Sequence, residues 1–259
     1  MRIALGVEYN GAAYCGWQYQ DHSPSVQHCV EQALAKVANH PVRVICAGRT
    51  DTGVHGLGQV VHFDTHSERS DYSWTFGANA NLPDDISVLW AKQVPDDFHD
   101  RFSAMRRIYR YVILNRQIRP AVLSNRVSWE YRPLDVARMQ AAAQPLVGQH
   151  DFSSYRALGC QAKSPVRDLC RLEISQQQDL ITIELEADGF LHHMVRNIAG
   201  VLMTIGADEA EVDWAAQVLE HRDRTKGGIT APPDGLYFVG VRYPEEFEIP
   251  LLSPLPVVW

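Results

Sequence analysis

Strand-like patterns of apolar and polar residues recur along the chain, and turns or polar segments separate most of them. The longest covers residues 103–115, where Arg107, Tyr109 and Tyr111 share one face of the predicted strand. The patterns predict strands over residues 2–9, 42–47, 58–65, 86–94, 103–115, 166–176, 180–188 and 235–243.

Helical spacing of apolar residues appears between these strands. After Ser23, a predicted N-cap, and Pro24, at the first helical position, the spacing predicts a helix to about Asn39. Further helices are predicted near Trp74 and over residues 135–147, 191–205 and 211–221. Strands and helices therefore alternate twice without a low-complexity linker, which favours an α+β fold with two similar halves.

Composition narrows the class of protein. The 259 residues are 46% hydrophobic and 21% charged, as is typical of a globular protein. The five cysteines are odd in number and form no Cys-x-x-Cys, which argues against a disulfide framework and a thiolate zinc site. No segment approaches the roughly 20 apolar residues of a membrane span, and no signal peptide is visible. We therefore expect a cytoplasmic protein without a membrane partner.

Charge is distributed unevenly. The net charge is −7, which argues against indiscriminate nucleic-acid binding, but residues 101–119 hold six arginines and no acid. Within this basic segment, "RRIYRY" interleaves arginines with aromatic rings, so guanidinium groups could meet phosphates while a ring stacks on a base. The alternative is a cross-strand aromatic pair flanked by solvated arginines. The predicted RNA-contacting residues are Arg106, Arg107 and Arg110.

A charged junction, residues 47–65, connects two predicted strands. Arg49 and Asp51 can point the same way in an extended turn, and Gly48 and Gly53 allow a ligand to approach the backbone. A carboxylate beside a guanidinium stays ionised and is able to act as a nucleophile or base. The alternative is a salt-bridged turn with no chemical role.

Histidines near this junction raise a metal hypothesis. His62, Asp64 and His66 alternate onto one strand face, with His55 nearby. His192 and His193 diverge by about 100° on a helix, however, and no usual zinc spacing is present. The glycines of "GVHGLGQ" enter a strand, unlike those of nucleotide-binding loops. We expect no metal and no nucleotide cofactor, and we expect Cys46 to pack as a small hydrophobe.

Four segments together resemble the tRNA pseudouridine synthase A (TruA) family: "CAGRTDTGVHGLGQVVHF", "DDFHDRFSAMRRIYRYVI", "GFLHHMVRNIAGVL" and "GLYFVGVRYP". The resemblance runs in order from about Arg2 to Tyr243. It implies an isomerase that converts uridine to pseudouridine at positions 38, 39 and 40 of the tRNA anticodon stem-loop, without metal or cofactor. It also implies a homodimer of chains with two ferredoxin-like (RRM-like) halves that share one largely antiparallel sheet.

The resemblance also assigns residues and boundaries. It implies that Asp51 is catalytic with Arg196 as its ion-pair partner, that Arg49 assists base extrusion, that Tyr109 stacks on the uracil and that Leu236 lines the pocket. The halves are predicted at residues 1–115 and 116–243, with an extended tail at 244–259. Thr52 replaces an alanine common in the family, and "KGGITAPPDGLYF" also departs from its pattern.

Isomerisation requires the base to leave the stack, the C1′–N1 bond to break and a C1′–C5 bond to form. The residues alone do not decide whether Asp51 adds to C6 of the uracil or acts at the ribose. Two alternatives stay open: an RNA-binding protein of the same architecture without catalysis, and a histidine-liganded metal hydrolase.

Overall fold

The computed structural model describes residues 1–251, which form two compact units. The first unit contains residues 1–107 together with residues 237–251, and the second contains residues 108–236. This division differs from the predicted halves because the last strand belongs to the first unit. That strand pairs in parallel with a strand near the charged junction, through Tyr237 opposite His55.

The first unit is a sheet in the order β4-β1-β3-β10, with β2 paired to β3. Its pairs are antiparallel except β10 with β3. The strands are β1 (Arg2–Tyr9), β2 (Ile45–Cys46), β3 (His55–Asp64), β4 (Ile86–Val94) and β10 (Leu236–Arg242), and the helices are α1 (Val26–Ala38) and α2 (Asp71–Asn79).

The core of the first unit forms where helix α1 covers the sheet. Val26, Val30 and Leu34 of α1 lie at helical spacing, and they are buried with Leu5 of β1 and Trp74 of α2. Burial of each such side chain contributes about 1.5–3 kcal/mol to folding. Helix and sheet therefore each cover the other's apolar face.

Helix α1 begins two residues later than the sequence predicts. Ser25, not Ser23, occupies the N-cap position, and Pro24 precedes the helix. Ser23 instead forms an isolated bridge with Gln20, which holds this segment in an extended turn. The helix ends at Asn39, whose φ of 58° is the left-handed conformation common at helix C-termini.

The second unit has the strand order β5-β9-β8-β7, with β6 added in parallel to β5. Pairs β7·β8 and β8·β9 are antiparallel. The strands are β5 (Arg106–Asn115), β6 (Ser128–Glu130), β7 (Gly148–Asp151), β8 (Val166–Gln177) and β9 (Leu180–Ala187), and the helices are α3 (Val136–Ala143), α4 (Met194–Gly206) and α5 (Trp214–His221).

Helix α4 is the central element of the second unit. All of its residues are buried except Arg196 and Thr204, which are partly exposed. A helix that is apolar nearly all round must be covered on every side. Arg196, to which the family resemblance gives a catalytic role, is thus a charged exception on a buried helix.

The predicted fold class, α+β with largely antiparallel strands and helices packed on them, is confirmed. The strand predicted at 42–47 is reduced to Ile45–Cys46, and the strand predicted from residue 58 already begins at His55. Two short strands, β6 and β7, are not predicted, and β7 falls where a polar loop is expected. Residues 252–259 of the predicted tail lie outside the described residues.

No helix within residues 1–251 combines the length and the apolar character needed to cross a membrane.

Candidate active site

Asp51 lies on a loop between β2 and β3, residues 47–54, which we call the aspartate loop. Its side chain is half-buried, whereas Arg49 on the same loop is exposed. The Val54 amide donates to the carbonyl of Asp51 at 3.1 Å, which closes a tight turn. Gly53 adopts a φ of 79° in this turn, a conformation that favours glycine.

Side chains from the strands hold the aspartate loop on both sides of Asp51. Gln59 of β3 accepts from the Gly48 amide at 3.3 Å and donates to the Gly48 carbonyl at 2.5 Å. Tyr9 of β1 shares a hydrogen bond of 2.8 Å with the Thr50 hydroxyl. Burial raises the pKa of Tyr9, so its phenol stays neutral. The carboxylate of Asp51 is therefore carried by a backbone fixed at Gly48 and Thr50.

A close backbone approach reinforces this arrangement. The Trp17 amide donates to the Thr50 carbonyl at 3.0 Å. Gly16 has a φ of 89°, and a Cβ at Gly16 would lie 2.5 Å from the same carbonyl. Only glycine permits this contact without a backbone shift. The 14–17 segment thus acts as a second support for the loop.

Cys46 precedes the loop and packs as the sequence predicts. Burial, more than the nearby Asp100 carboxyl, raises the pKa of its thiol to about 12. A thiol with such a pKa is almost entirely protonated at neutral pH and is a poor nucleophile. Asp51 is the acidic group that the aspartate loop offers for chemistry.

Tyr109 and Leu236 lie in the second unit and are both buried. The ring of Tyr109 packs edge-on against Phe190, with ring centroids 4.9 Å apart and an interplanar angle of 75°. Leu236 follows a turn in which its amide donates to the Pro233 carbonyl at 2.8 Å. An aromatic ring and an aliphatic side chain are suitable groups for contacting a nucleobase.

Arg196 connects helix α4 to the segment 229–231. Its Nε donates to the Ala231 carbonyl at 2.8 Å, and the Ala231 amide donates to the Arg196 carbonyl at 3.1 Å. One turn later, a Cβ at Gly200 would lie 2.0 Å from the Ile229 carbonyl oxygen. The segment therefore lies directly on the helix backbone, and Arg196 is held by a reciprocal pair of bonds.

Asn197, buried beside Arg196, joins three parts of the second unit. Its amide nitrogen donates to the Tyr155 carbonyl at 2.7 Å. Its oxygen accepts from Arg224 at 3.1 Å and from Thr230 at 2.6 Å. This polar network satisfies groups that burial would otherwise leave unpaired, which makes the helix position unique.

The predicted RNA-contacting arginines differ in their surroundings. Arg110 is buried and donates to Glu184 through Nε at 3.0 Å. Arg107 donates to the Arg101 carbonyl at 2.7 Å. Arg106 is half-buried. Arg107 and Arg110 thus make contacts within the protein, and the role of all three arginines toward RNA stays a prediction.

The strand-face set of the metal hypothesis, His62, Asp64 and His66, is not brought together, whereas His192 and His193, expected to diverge on a helix, precede α4 with ring centroids 4.0 Å apart. Asp64 pairs with Arg2 at 2.9 Å, and the ring of His66, past the end of β3, stacks on His40 at 4.2 Å. His55 is buried, accepts from the Gly11 amide at 3.1 Å and stacks on Tyr237 at 4.7 Å. His62 alone of this set faces a different acidic partner, Asp100.

The supporting residues Gln59, Tyr9 and Asn197 are not identified from the sequence as functional. A signal for two of them is nevertheless present. Gln59 alternates with the apolar Val61 and Phe63 on one strand face, and Asn197 lies on a helix that is otherwise apolar apart from Arg196 and Thr204. A buried polar residue in an apolar element usually bonds to a specific partner.

Known proteins similar to this chain point to one family. A family model described as tRNA pseudouridine synthase matches residues 6–103 and 142–244. A tRNA pseudouridine synthase A of Pseudomonas aeruginosa is 60% identical over 250 residues, covering 96% of this chain and 88% of that protein. The protein of the same name from Coxiella burnetii is 57% identical, and the match covers 96% of this chain and 95% of that protein. The one from Nitrosococcus oceani is 56% identical, and the match covers 100% of both chains.

Proposed function

The chain belongs to the tRNA pseudouridine synthase family, and from this membership and the local geometry we propose that Asp51 performs the isomerisation of uridine in tRNA. The chain is an isomerase of tRNA uridine. The proposed target positions are 38, 39 and 40 of the anticodon stem-loop. The observation that carries the catalytic proposal is the aspartate loop, whose backbone is bonded at Gly48 and Thr50 around a half-buried carboxylate.

A fixed carboxylate suits this reaction because the enzyme must act on an extruded base whose position is set by the protein. The C1′–N1 bond breaks, N1 gains a proton, C1′ joins C5 and the hydrogen of C5 leaves to solvent. No atom is gained or lost overall. Asp51 acts either by addition to C6 of the uracil or at the ribose, and in both cases the ionised form is required.

The other site residues have supporting parts in the same proposal. Arg49, exposed beside Asp51, assists extrusion of the target base. Tyr109 stacks on the uracil, Leu236 lines its pocket, and Arg196 is the second catalytic group. Apolar surroundings exclude water that would otherwise trap the cleaved intermediate. The arginines of the basic segment 101–119 bind phosphates, and we also propose a cytoplasmic homodimer that works without cofactor.

Tritium release tests the catalytic role of Asp51. A tRNA transcript labelled with tritium at uridine C5 is incubated with wild type, with Asp51→Asn and with Asp64→Asn, a matched control on an exposed carboxylate. Wild type and Asp64→Asn are expected to release tritium at similar rates. Asp51→Asn is expected to lose at least about 10³-fold in rate, the order of a lost catalytic group. Release by Asp51→Asn at the wild-type rate would overturn the proposal.

Two further measurements separate the competing functions. Tight tRNA binding by wild type without any tritium release would favour an RNA-binding protein. Transcripts that carry the label only at position 38, 39 or 40 test the proposed target positions, and release from label elsewhere contradicts them. Sedimentation of the purified chain tests the homodimer.

A further inference from the structure

The chain that leads into β10 contains an irregular segment, residues 227–235, which we call the strap. The strap forms neither helix nor strand, so side chains and other backbone segments must satisfy its polar groups. Its middle residue, Ala231, accepts from Arg196 Nε through its carbonyl, and Leu236 follows its last residue. The strap therefore connects two residues that have proposed parts in the reaction.

Arg224 anchors the start of the strap. Its Nη1 donates to the Gly228 carbonyl at 2.9 Å, and its Nη2 donates to the Thr230 hydroxyl at 3.0 Å. Nη2 also donates to the side-chain oxygen of Asn197 on α4 at 3.1 Å, and the Thr230 hydroxyl donates to the same oxygen at 2.6 Å. One guanidinium thus joins two points of the strap to the buried helix.

Tyr111 of β5 anchors the other end of the strap. Its hydroxyl donates to the Pro232 carbonyl at 2.9 Å and shares a hydrogen bond with the Ser128 hydroxyl. A phenol has one hydrogen, so Ser128 is the donor in the second bond. Burial raises the pKa of Tyr111, so the phenol keeps that hydrogen at neutral pH. The strap is therefore tied to the strand that also carries Tyr109.

Backbone contacts continue the anchoring up to Leu236. The Val112 amide, next to Tyr111, donates to the Gly235 carbonyl at 2.8 Å. Two consecutive prolines, Pro232 and Pro233, restrict the backbone before this bond. The place of Leu236 thus depends on the same end of the strap that Tyr111 holds.

We propose that Tyr111 and Arg224 are positioning residues for the isomerisation, which set the places of Arg196 and Leu236 through the strap. This inference rests on the proposed parts of Arg196 and Leu236 in the reaction. A guanidinium whose acceptor moves by about 1 Å no longer meets the base in the productive geometry, and such a misplacement can cost about 10²-fold in rate. Since neither anchor contacts tRNA under this proposal, their loss should lower kcat and leave KM nearly unchanged.

Substitution of Tyr111 tests the anchor at the end of the strap. Tyr111→Phe removes the hydroxyl alone. Tyr155→Phe is the matched control, because the buried Tyr155 also donates to a backbone carbonyl of this unit, that of Ala215, at 2.8 Å. Initial rates of tritium release, measured over a range of tRNA concentrations, give kcat and KM. Tyr111→Phe is expected to lose about 10- to 10²-fold in kcat, whereas Tyr155→Phe keeps the wild-type kcat. Both variants are expected to lose similar amounts of Tm, so lower stability would not explain the difference in kcat.

Substitution of Arg224 tests the anchor at the start of the strap. Arg224→Lys keeps the charge but replaces a planar fork with a single ammonium, so kcat is expected to fall as in Tyr111→Phe. Arg222→Gln is the control for charge, because Arg222 is exposed and lies outside the strap. It is expected to keep the wild-type kcat.

Wild-type kcat in Tyr111→Phe or in Arg224→Lys would overturn the proposal. A rise in KM alone would also overturn it, because that result would indicate direct contact with tRNA. Arg196→Lys separates a failure of this inference from a failure of the proposed function. Loss of kcat in Arg196→Lys but in neither anchor variant contradicts the anchoring only, whereas wild-type kcat in all three contradicts the proposed role of Arg196 as well.

Discussion

The two units hold their candidate functional residues by different means. In the first unit, Asp51 lies on a loop that neutral side chains, Gln59 and Tyr9, fix by hydrogen bonds. In the second unit, Arg196 lies on a helix that is covered on nearly all sides. A loop fixed by a few hydrogen bonds can lose its exact geometry while the protein stays folded. Disruption of a buried helix costs geometry and stability together. Substitutions around the aspartate loop should therefore change the reaction rate with little change in stability, whereas substitutions around α4 should change both.

The largest expected effect comes from Gly200 of α4. In Gly200→Ala the new Cβ would lie 2.0 Å from the Ile229 carbonyl oxygen, a backbone atom that cannot turn aside. We expect a loss of about 3 kcal/mol in the free energy of unfolding, measured by urea denaturation. Gly159→Ala is the control, since a Cβ there meets nothing within 4 Å. Equal stability of the two variants would contradict the close contact between Ile229 and the backbone of α4.

An intermediate effect on the free energy of unfolding is expected from removal of a buried charge, that of Glu130, in the second unit. Glu130 is 7% exposed and accepts from Arg132 Nη2 at 2.6 Å. Burial raises the pKa of Glu130, but the hydrogen bonds and charge of Arg132 outweigh burial and leave the pKa below its ordinary 4.5. A lowered pKa means that the ion stabilises the fold above that ordinary value and that this stability is lost as the pH falls through the folded-state pKa.

Glu130→Gln is accordingly expected to lose about 2 kcal/mol of unfolding free energy at pH 7. The difference from wild type is expected to shrink as the pH falls below 4.5. Asp64→Asn is the matched change in the first unit, where the Asp64 side chain is 67% exposed beside Arg2. Thermal melts of wild type, Glu130→Gln and Asp64→Asn from pH 7 to below pH 4.5 measure these stability differences. A larger loss for Asp64→Asn would reverse the contrast between the units.

The smallest effect on stability is expected from two tyrosine substitutions, which distinguish the two units most sharply by their effect on the reaction rate. Tyr9→Phe removes the bond to Thr50, and Tyr155→Phe removes a 2.8 Å bond to the Ala215 carbonyl in the second unit. Each should cost about 1 kcal/mol of unfolding free energy. Only Tyr9→Phe is expected to slow tritium release, because only Tyr9 holds the aspartate loop. Equal rates in the two variants would show that the loop needs no such support.

The sequence predicts elements well where the pattern of residues also decides the packing. Strands β1 and β4 have the predicted ends, since the turn residues Asn10 and Gly11 follow β1 and Pro95 follows β4. The start of α1 is not predicted, since Ser23 and Pro24 are used in a turn that depends on Gln20. The short strands β6 and β7 depend on their partner strands, and three or four residues carry too weak a pattern alone.

For the site, the motif around Asp51 identifies the loop, but not the groups that fix it. Tyr9 and Thr50 are far apart in sequence, and their contact follows from the pairing of β1 with β3. The metal hypothesis illustrates the same limit. Alternation suggests His62 with Asp64 and His66, whereas the fold brings His62 to Asp100, which lies outside that strand.

The first unit is assembled from two pieces of chain that the ribosome makes at different times. Strand β10 pairs with the start of β3, yet all of residues 108–236 are synthesised between them. At about 5–20 residues per second, that edge of β3 waits on the order of ten seconds for its partner. An open strand edge invites wrong pairing with other chains during this interval. Nascent chains of this protein therefore pass through a period in which chaperone protection of β3 has the greatest value.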